Sequence, residues 1–599
     1  MKLDVAVVGG GVSGCYSAWR LQQAYGKDQS IALFEYSDRI GGRLFTVTLP
    51  GMPNVHAEVG GMRFIPDDHV MVNDLVNHLK LPTKDFPMGA PEPVGANCNL
   101  YYLRGKHLRL NEINDPDKVP YRLNWSERGL GPEDLQARVM NYLFPNMNEL
   151  TLCEQMKLKV YGKELWKYGF WNLLYRVLSN EGYQFMRDAG GYDANVANAN
   201  AVTQLPATEY KDTTEFLTLR DGYDKLPITL AEEFNEKFEG CVPKGERVYM
   251  NHRLAKIDIR EGEEYRYKLT FYPTKTANHK TTAIDDCEAI IVEAKKIVLG
   301  MPRRSLELID SEFFNDEWLQ KNIPSVLIQK AFKIFLAYEQ PWWRSMGLVA
   351  GRSVTDLPVR QVFYFGTESE QKGGEPYMNS LMMASYNDIS TVPFWKGLEE
   401  GAPFEGHRPS CMPEDEEGEP IVPKMEHQIT DEMVRIANEQ VAEVHAQKEL
   451  PPPYSAVYHD WSSDPYGGGW HEWKANYRLD EIMCRMRHPV DKEEIYIVGS
   501  AYSYDQGWVE GALDTAESTL QEFFGLSQPD WITVKDFQPM PIPCPGGCGD
   551  ISDHCIPSTD TQSSLDDMTP NCIDPDVSLA DLVKEYNKKK KKKKKGKKD

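Results

Sequence analysis

The first 43 residues place the strongest constraint on what this chain can fold into. They begin with a short apolar run at residues 3–8, pass through a turn containing Gly9, Gly11 and Gly14, and reach a second apolar run that ends at Glu35. A short, nearly continuous apolar run is typical of a strand buried on both faces of a parallel sheet. The three glycines fit the spacing G-x-G-x-x-G, which predicts a strand, a tight turn and a helix.

Each part of this unit suits the binding of a dinucleotide. The first glycine permits the turn, the second lets backbone approach a pyrophosphate, and the third lets the helix pack on the strand. The helix N-terminus then directs N–H groups and a positive dipole end at the phosphates. Glu35 lies about twenty residues beyond the turn, where a carboxylate accepts hydrogen bonds from ribose hydroxyls. The unit predicts a site for NAD or FAD, and the alternative is a glycine turn in an ordinary α/β core.

Two later segments distinguish between these cofactors. Residues 39–43 read R-I-G-G-R and residues 58–66 read E-V-G-G-M-R-F-I-P. The first resembles the glycine–arginine segment that FAD enzymes of the glutathione-reductase type place after their second strand. Together the two segments resemble the flavin-containing amine oxidases, and the G-M-R-F-I-P form resembles their L-amino acid oxidase branch. The resemblance implies FAD as the cofactor.

The resemblance also implies cofactor contacts from the beginning, middle and end of the chain. The residues that match are Gly9, Gly11, Val12, Ser13, Gly14, Glu35, Tyr36, Arg39, Gly42, Arg43, Gly60, Gly61, Met62, Arg63, Leu254, Trp461, Gly499, Ser500, Gly507, Trp508 and Val509. Two positions depart from the family pattern. Ser500 stands where the family often has glutamate, which concerns a flavin ribityl contact, and Tyr223 stands where a second glycine is common.

Two residues are candidates for binding the carboxylate of an amino acid. Arginine has a planar fork that pairs with a carboxylate bidentately, so Arg63 is expected to hold the substrate α-carboxylate, with a pyrophosphate contact or a surface position as the alternatives. The resemblance implies that the phenol of Tyr364 binds the same carboxylate, although a strand tyrosine is also common in a core.

Three further residues complete the expected catalytic and substrate-binding set of Arg63, Tyr364, Lys333, Gly507 and Trp508. Lys333 lies in an apolar run, and a lysine is rarely buried in such a run unless its charge has a partner or a function. In the family, a lysine at this place holds a water near flavin N5 and assists oxygen chemistry, and Lys330 is the rival for that role. Gly507 and Trp508 match a pair that frames the substrate α-carbon.

The implied reaction is the oxidative deamination of L-amino acids. A neutral α-amine loses hydride from its α-carbon to flavin N5, dioxygen is converted to hydrogen peroxide, and water converts the imino acid to a 2-oxo acid and ammonia. An amino acid 2-monooxygenase, which yields an amide and carbon dioxide, and an oxidase of amines that lack a carboxylate remain alternatives. A non-catalytic flavoprotein, or a secreted toxin or defence factor acting through peroxide, is a further class.

The expected fold is α/β and α+β, with an FAD-binding Rossmann-like domain interleaved with a mixed-sheet substrate domain and a helical insertion. We assign residues 1–65, 215–323 and 479–527 to the FAD-binding domain, and residues 66–112 and 324–478 to the substrate-binding domain. Helical spacing of apolar residues predicts a helical domain over residues 113–214. Residues 528–599, rich in Pro, Gly, Ser and Asp, form an irregular tail that ends in polylysine.

Charge and hydropathy limit the partners of this chain. The net charge is −23 although ten of the last twelve residues are lysine. An acidic body argues against nucleic acid and anionic membranes as partners. There is no run of eighteen apolar residues, so we expect a soluble protein, either cytoplasmic or secreted with a leader absent from this chain. The expected partners are the amino acid, dioxygen and further copies of the chain in a dimer or higher homo-oligomer.

The cysteines predict no metal site. Seven of the eleven are scattered singly, and Cys544, Cys548, Cys555 and Cys572 cluster in the tail. Their spacing is not a standard zinc pattern, so a tail disulfide or free thiols are the preferred interpretation.

Overall fold

The computed structural model describes residues 1–26, 28–206, 214–236, 247–277, 280–284, 287–412, 429–534 and 537. The tail cysteines and the polylysine end therefore lie outside the described residues, as does most of the segment expected to form an irregular tail.

The strands and helices of the described residues follow one another in this order. The strands are β1 (Lys2–Val8), β2 (Ile31–Phe34), β3 (Thr46–Thr48), β4 (His56–Glu58), β5 (Thr83–Asp85), β6 (Leu100–Leu103), β7 (Lys106–Arg109), β8 (Lys159–Val160), β9 (Lys163–Glu164), β10 (Leu217–Leu219), β11 (Val248–Tyr249), β12 (His252–Ile259), β13 (Tyr267–Ala277), β14 (Lys280–Ala283), β15 (Ile290–Leu299), β16 (Val326–Gln329), β17 (Ala331–Tyr338), β18 (Gly351–Thr355), β19 (Gln361–Thr367), β20 (Ser380–Asp388), β21 (Ser455–Asp460), β22 (Trp470–Trp473) and β23 (Ile495–Ile497). The helices are α1 (Val12–Tyr25), α2 (Val70–His78), α3 (Pro132–Leu143), α4 (Leu152–Gln155), α5 (Phe170–Val177), α6 (Asn180–Gly190), α7 (Ala201–Gln204), α8 (Lys225–Glu236), α9 (Arg303–Glu307), α10 (Glu317–Asn322), α11 (Val392–Lys396), α12 (Asp431–Val444), α13 (Leu479–Arg485) and α14 (Val509–Phe524).

The N-terminal unit forms the centre of an eight-stranded sheet. The main path of this sheet runs β11-β2-β1-β15-β13-β12, with β14 on β13 and β23 on β15. β1 pairs in parallel with β2 and β15, and β23 pairs in parallel with β15. All four residues of β2 are buried, as expected for a strand covered on both faces. The predicted order of strand, glycine turn, helix and second strand is confirmed, and the sheet takes strands from three separate parts of the chain.

A second sheet is built from strands of the two segments that the sequence assigns to the substrate-binding domain. Its order is β21-β17-β20-β19-β18-β6-β7, and every neighbouring pair is antiparallel except β18 and β6. Strands β6 and β7 form an antiparallel hairpin at the edge of this sheet. β17 lies inside the sheet with all eight residues buried, so its polar side chains need partners within the protein.

Helices α3 to α7 lie in the segment that helical spacing assigns to an insertion, together with the short hairpin β8–β9. The mixed α/β architecture is the predicted fold class. The boundaries of the three domains remain a prediction. The two large sheets are consistent with that prediction. In the part of the chain that the structure describes, no helix is both long and apolar enough to span a membrane.

Candidate active site

A cavity of about 1020 Å³ is lined by residues from both large sheets and from the helical segment. The turn between β1 and α1 contributes Gly9, Gly11 and Ser13, β17 contributes Lys333, and α3 contributes Gln136. Parallel α/β sheets bind ligands at the carboxyl ends of their strands, and the β1–α1 turn lies at such an end. The cavity therefore combines a site typical of dinucleotides with side chains from the second sheet.

The glycine turn is built as the spacing predicts. A methyl group on Gly14 would lie 1.9 Å from the Gly9 carbonyl oxygen, so only glycine allows α1 to sit this close to β1. Gly9 has φ +113°, and a methyl group there would lie 2.3 Å from the Gly300 carbonyl oxygen. Among the described residues, a methyl group on Gly11 would meet only the Gly42 Cα within 4 Å, at 3.9 Å. Because Gly11 lines the cavity, this space is available to a ligand.

These different surroundings predict different effects for two alanine substitutions. Gly14→Ala is expected to lower the apparent Tm of the flavin-free protein by several degrees, because the new methyl group meets backbone. Gly11→Ala is expected to leave that Tm within about a degree and to weaken FAD binding at least tenfold, because its methyl group occupies ligand space. Thermal unfolding and flavin titration of both apoproteins measure these effects. Equal effects of the two variants on FAD affinity and on Tm would contradict the assignment.

Glu35 is held at the edge of the cavity by backbone and hydroxyl donors. The Gly10 N–H donates to Oε2 at 2.6 Å, and the N–H and hydroxyl of Ser37 donate to Oε1 at 2.8 and 2.7 Å. A carboxylate with two oxygens can accept about four hydrogen bonds, so capacity remains for ribose hydroxyls. Glu35 lies directly after β2, where the sequence predicts it.

Arg43 brings a positive charge to the same cavity. Its guanidinium donates to the Gly469 carbonyl at 3.3 Å, the Ser500 hydroxyl at 3.0 Å and Nδ1 of His471 at 3.3 Å. Within the part of the chain that the structure describes, these partners are uncharged. Burial lowers the pKa of Arg43 to about 10, so it is still cationic at neutral pH. The substitution of Ser500 for the family's glutamate therefore leaves this cation available to an anionic ligand.

His471 adds a buried donor beside Arg43. Burial and the nearby Arg43 and Arg303 lower its pKa well below the ordinary value, so the ring is neutral. Since Nδ1 accepts from Arg43, Nε2 carries the proton, and Nε2 has no hydrogen-bond partner among the described residues. An open glycine turn, a helix N-terminus, a buried cation and an orphaned donor all fit the pyrophosphate and polar groups of FAD. The cofactor of this chain is FAD.

Lys333 lies in the cavity wall with 2% of its surface exposed. Its Nζ donates to the carbonyl oxygens of Glu58 and Gly60 at 3.1 and 2.6 Å, and lies 3.8 Å from the Met62 sulfur. Burial lowers the pKa of Lys333 to about 7, an effect that Glu58 opposes and Arg63 adds to. A lysine with this pKa can hold or release a proton near neutral pH. The rival Lys330 is exposed and lies outside the cavity lining.

Arg63 lies in the same wall, 5% exposed, and is surrounded by aromatic rings. Its guanidinium carbon lies 4.2 Å from the ring centre of Phe216, 5.2 Å from that of Phe86 and 5.9 Å from that of Phe363. Its Nη1 is 3.1 Å from the Met88 sulfur. Aromatic faces attract a cation, so these rings stabilise the guanidinium in a largely apolar environment.

The placement of Tyr364 differs from the prediction. Phe363 faces Arg63, and because successive strand residues point to opposite faces, Tyr364 points away from the cavity. Its hydroxyl donates to Nε2 of His445 at 2.8 Å and lies 2.6 Å from the Ser353 hydroxyl. Tyr364 therefore belongs to the core behind the sheet, and the structure does not place it at the substrate.

Two predicted cofactor residues support the site from outside its lining. Arg39 donates to the carbonyl oxygens of Leu44 and Gly42 at 3.1 and 2.6 Å, which holds the loop at residues 39–44. Gly14 lies beneath the turn. The predicted residues that line the cavity are Gly9, Gly11, Val12, Ser13, Glu35, Tyr36, Gly42, Arg43, Gly60, Gly61, Met62, Arg63, Leu254, Lys333, Trp461, Gly499, Ser500, Gly507, Trp508 and Val509.

Sequence reasoning missed two aromatic residues of the wall, Tyr386 and Tyr192. Tyr386 of β20 faces the cavity, with Tyr192 from the helical segment edge-on to it at 5.1 Å and Trp470 6.1 Å from Tyr192. Alternation along residues 380–388 places Tyr386 on one face of its strand but does not say which face is toward the site. Trp508, which also lines the cavity, packs against His69 with ring centres 4.7 Å apart.

Comparisons with known proteins agree with this geometry. The model of a family described as flavin containing amine oxidoreductase matches residues 12–393. Aplysianin-A of Aplysia kurodai is 30% identical over 87% of this chain and 90% of that protein. An L-amino-acid oxidase of Mus musculus is 24% identical over 85% of this chain and 69% of that protein. A putrescine oxidase structure bound to putrescine aligns with a TM-score of 0.58 and 18% identity, covering 88% of this chain and 100% of that one, and shows the fold.

Proposed function

The chain belongs to the family of flavin-containing amine oxidoreductases, and we propose that it catalyses the oxidative deamination of L-amino acids. An L-amino acid, dioxygen and water would yield a 2-oxo acid, ammonia and hydrogen peroxide. The observation that carries the proposal is Arg63, a buried cation in the wall of the FAD cavity. The planar fork of a guanidinium can bind an α-carboxylate through two parallel hydrogen bonds, whereas a simple amine offers it no such acceptor. The similarity to an L-amino-acid oxidase from mouse supports the same choice.

The residues of the wall have separate roles in this proposal. When bound, FAD would supply the redox chemistry, taking up a hydride equivalent from the substrate α-carbon and passing the two electrons to dioxygen. Arg63 binds the α-carboxylate and so fixes the orientation of the α-carbon, which lowers the entropic cost of reaction. Trp508, another residue of the cavity lining, limits how the substrate can rotate. Lys333 holds a proton at Nζ in the wall of the same cavity. Its lowered pKa suits proton exchange near neutral pH.

A product analysis tests the proposal. The holoenzyme is incubated with each of the twenty L-amino acids and a few D-forms, and peroxide, ammonia and 2-oxo acid are measured together. We expect the three products in equal amounts with at least one L-amino acid, and no product from the wild-type protein after its flavin has been removed. An amide and carbon dioxide as the main products would instead establish a monooxygenase. A yellow protein whose colour no amino acid bleaches under anaerobic conditions would exclude both an amino acid oxidase and an amino acid monooxygenase.

Two properties outside the reaction also stay proposals. Cys153 and Cys484 are disulfide-bonded, which supports work in an oxidising compartment and therefore secretion rather than a cytoplasmic location. Alkylation of these cysteines only after reduction would agree with this, and alkylation of the untreated protein would contradict it. We also expect a homo-oligomer, which light scattering on a sizing column tests directly.

A further inference from the structure

Lys333 and Tyr386 face each other across two strands of the second sheet. They form a directly opposed pair in the antiparallel ladder of β17 and β20. Nζ of Lys333 lies 4.3 Å from the centre of the Tyr386 ring, within the distance at which an ammonium group is attracted to an aromatic face. The ring therefore covers the amine on one side, while the carbonyl oxygens of Glu58 and Gly60 bind it on another.

The Tyr386 ring is itself fixed by the helical segment. Tyr192 packs edge-on against it, with ring centres 5.1 Å apart and an angle of 87° between the planes. The residue after Tyr192 is Asp193, whose carboxylate accepts the Ser390 N–H at 3.2 Å. In return the Asp388 carboxylate accepts the N–H groups of Asp193 and Ala194, each at 2.9 Å. Two carboxylates thus join the loop that carries Tyr192 to the end of the strand that carries Tyr386.

The charged and titratable groups around Lys333 stabilise its protonated amine only weakly, so the Tyr386 ring contributes a large part of the stabilisation. Glu58 favours the protonated amine and Arg63 disfavours it. Burial raises the pKa of the Glu58 carboxyl to about 8, so at neutral pH it is mainly neutral. His459 of β21 is the residue opposite Lys333 on its other side. The cation is thus stabilised chiefly by two carbonyl dipoles and one aromatic face.

We propose that Tyr386 is a positioning residue for the reaction, and that the face of its ring stabilises the protonated form of Lys333 and holds its Nζ in the cavity wall. The role of Lys333 in turnover rests on the proposed function. The contact between the ring and the amine does not, because it is a property of the folded chain. The aromatic ring is the essential part, so phenylalanine replaces tyrosine here and an aliphatic side chain does not.

Direct titration of Lys333 in the holoenzyme tests this assignment. The rate of acetylation of its peptide by acetic anhydride, followed by mass spectrometry from pH 5 to pH 10, reports the fraction of neutral amine. Removing a desolvated cation–π contact is expected to lower the midpoint by about one pH unit in Tyr386→Leu. Tyr386→Phe is expected to keep the wild-type midpoint. Tyr386→Met provides a second variant without a ring if the leucine variant does not fold.

Two results would overturn the proposal. The first is an unchanged midpoint in a folded variant without the ring. The second is an equal fall in Tyr386→Phe, which would assign the effect to the hydroxyl. Since acetylation needs no turnover, a protein that oxidised no amino acid would refute the proposed function and still report on Tyr386. If the acetylation result holds, the pH profile of oxidation should shift in the same direction in Tyr386→Leu alone.

Discussion

Alanine in place of Arg63 is expected to raise the KM for L-amino acids about a hundredfold. Truncating one partner of a buried, hydrogen-bonded charge pair costs about 3 kcal/mol, because the other charge is left without its counter-ion. Here the abandoned charge is the substrate carboxylate, which would be left at a part of the cavity wall backed by the aromatic rings that surround Arg63, those of Phe86, Phe216 and Phe363. Steady-state kinetics with the best substrate of the product screen measure the change.

Two comparisons make this prediction specific. Arg63→Lys keeps the charge but lacks the planar fork, so we expect an intermediate KM. The amine formed by decarboxylating the same substrate has no carboxylate for Arg63 to bind. The rate of its slow oxidation should therefore change less than threefold in Arg63→Ala. A hundredfold loss with both substrates would mean that Arg63 maintains the structure of the site. An unchanged KM for the amino acid would remove the carboxylate assignment and favour an amine oxidase.

The part of the site that the sequence predicts well is the part that depends on local structure. Gly9, Gly11 and Gly14 have their roles within six residues, and Glu35 follows the next strand of the same sheet. The geometry of such a unit is set by steric limits and by hydrogen bonds within it. For this reason the turn, the helix and the acidic residue lie where the spacing predicts them.

Side chains on the second sheet were harder to place, because their direction depends on pairing between distant strands. Tyr364 and Phe363 are equally plausible wall residues until one face of β19 is known to meet the cavity. A shift of register beside Tyr364, between β19 and β20, makes simple alternation a poor guide there. Tyr386 reaches the wall because it is opposite Lys333 in the ladder. That register cannot be derived from either strand alone.

Arg39 shows the same limit at the level of a single motif. The R-x-G-G-R segment contains two arginines that look equivalent as ligands for an anionic cofactor. Arg39 bonds to backbone carbonyls of its own loop, whereas Arg43 reaches into the cavity. Their roles separate only when the loop is folded, because Gly41 and Gly42 adopt positive φ values of +129° and +59° and turn the chain between them.

Methionine in place of Lys333 is expected to slow the reaction of the enzyme with dioxygen about a hundredfold, within the usual range for loss of a proton-transferring group. Anaerobic reduction by substrate should change little. Stopped-flow measurement of the two half-reactions separates these effects. In the wild type the oxygen reaction should also weaken as pH rises through about 7, where Nζ loses its proton, and Lys333→Met should lack this dependence. Equal slowing of both half-reactions would place Lys333 in substrate binding instead.

The same substitution has a consequence for stability whose sign follows from the pKa shift. The pKa of Lys333 falls from 10.5 to about 7 on folding, so between these values the unfolded chain binds a proton that the folded chain does not. The folded wild type is therefore destabilised most below pH 7, and this cost, on the order of 5 kcal/mol, is relieved as pH rises toward 10.5.

Methionine carries no such charge but leaves the carbonyls of Glu58 and Gly60 without their Nζ donor. The Tm of Lys333→Met minus that of the wild type should therefore be highest near pH 6 and should decrease steadily up to pH 10. A Tm difference independent of pH would mean that Lys333 is buried with an ordinary pKa, and its role in proton exchange would have to be abandoned.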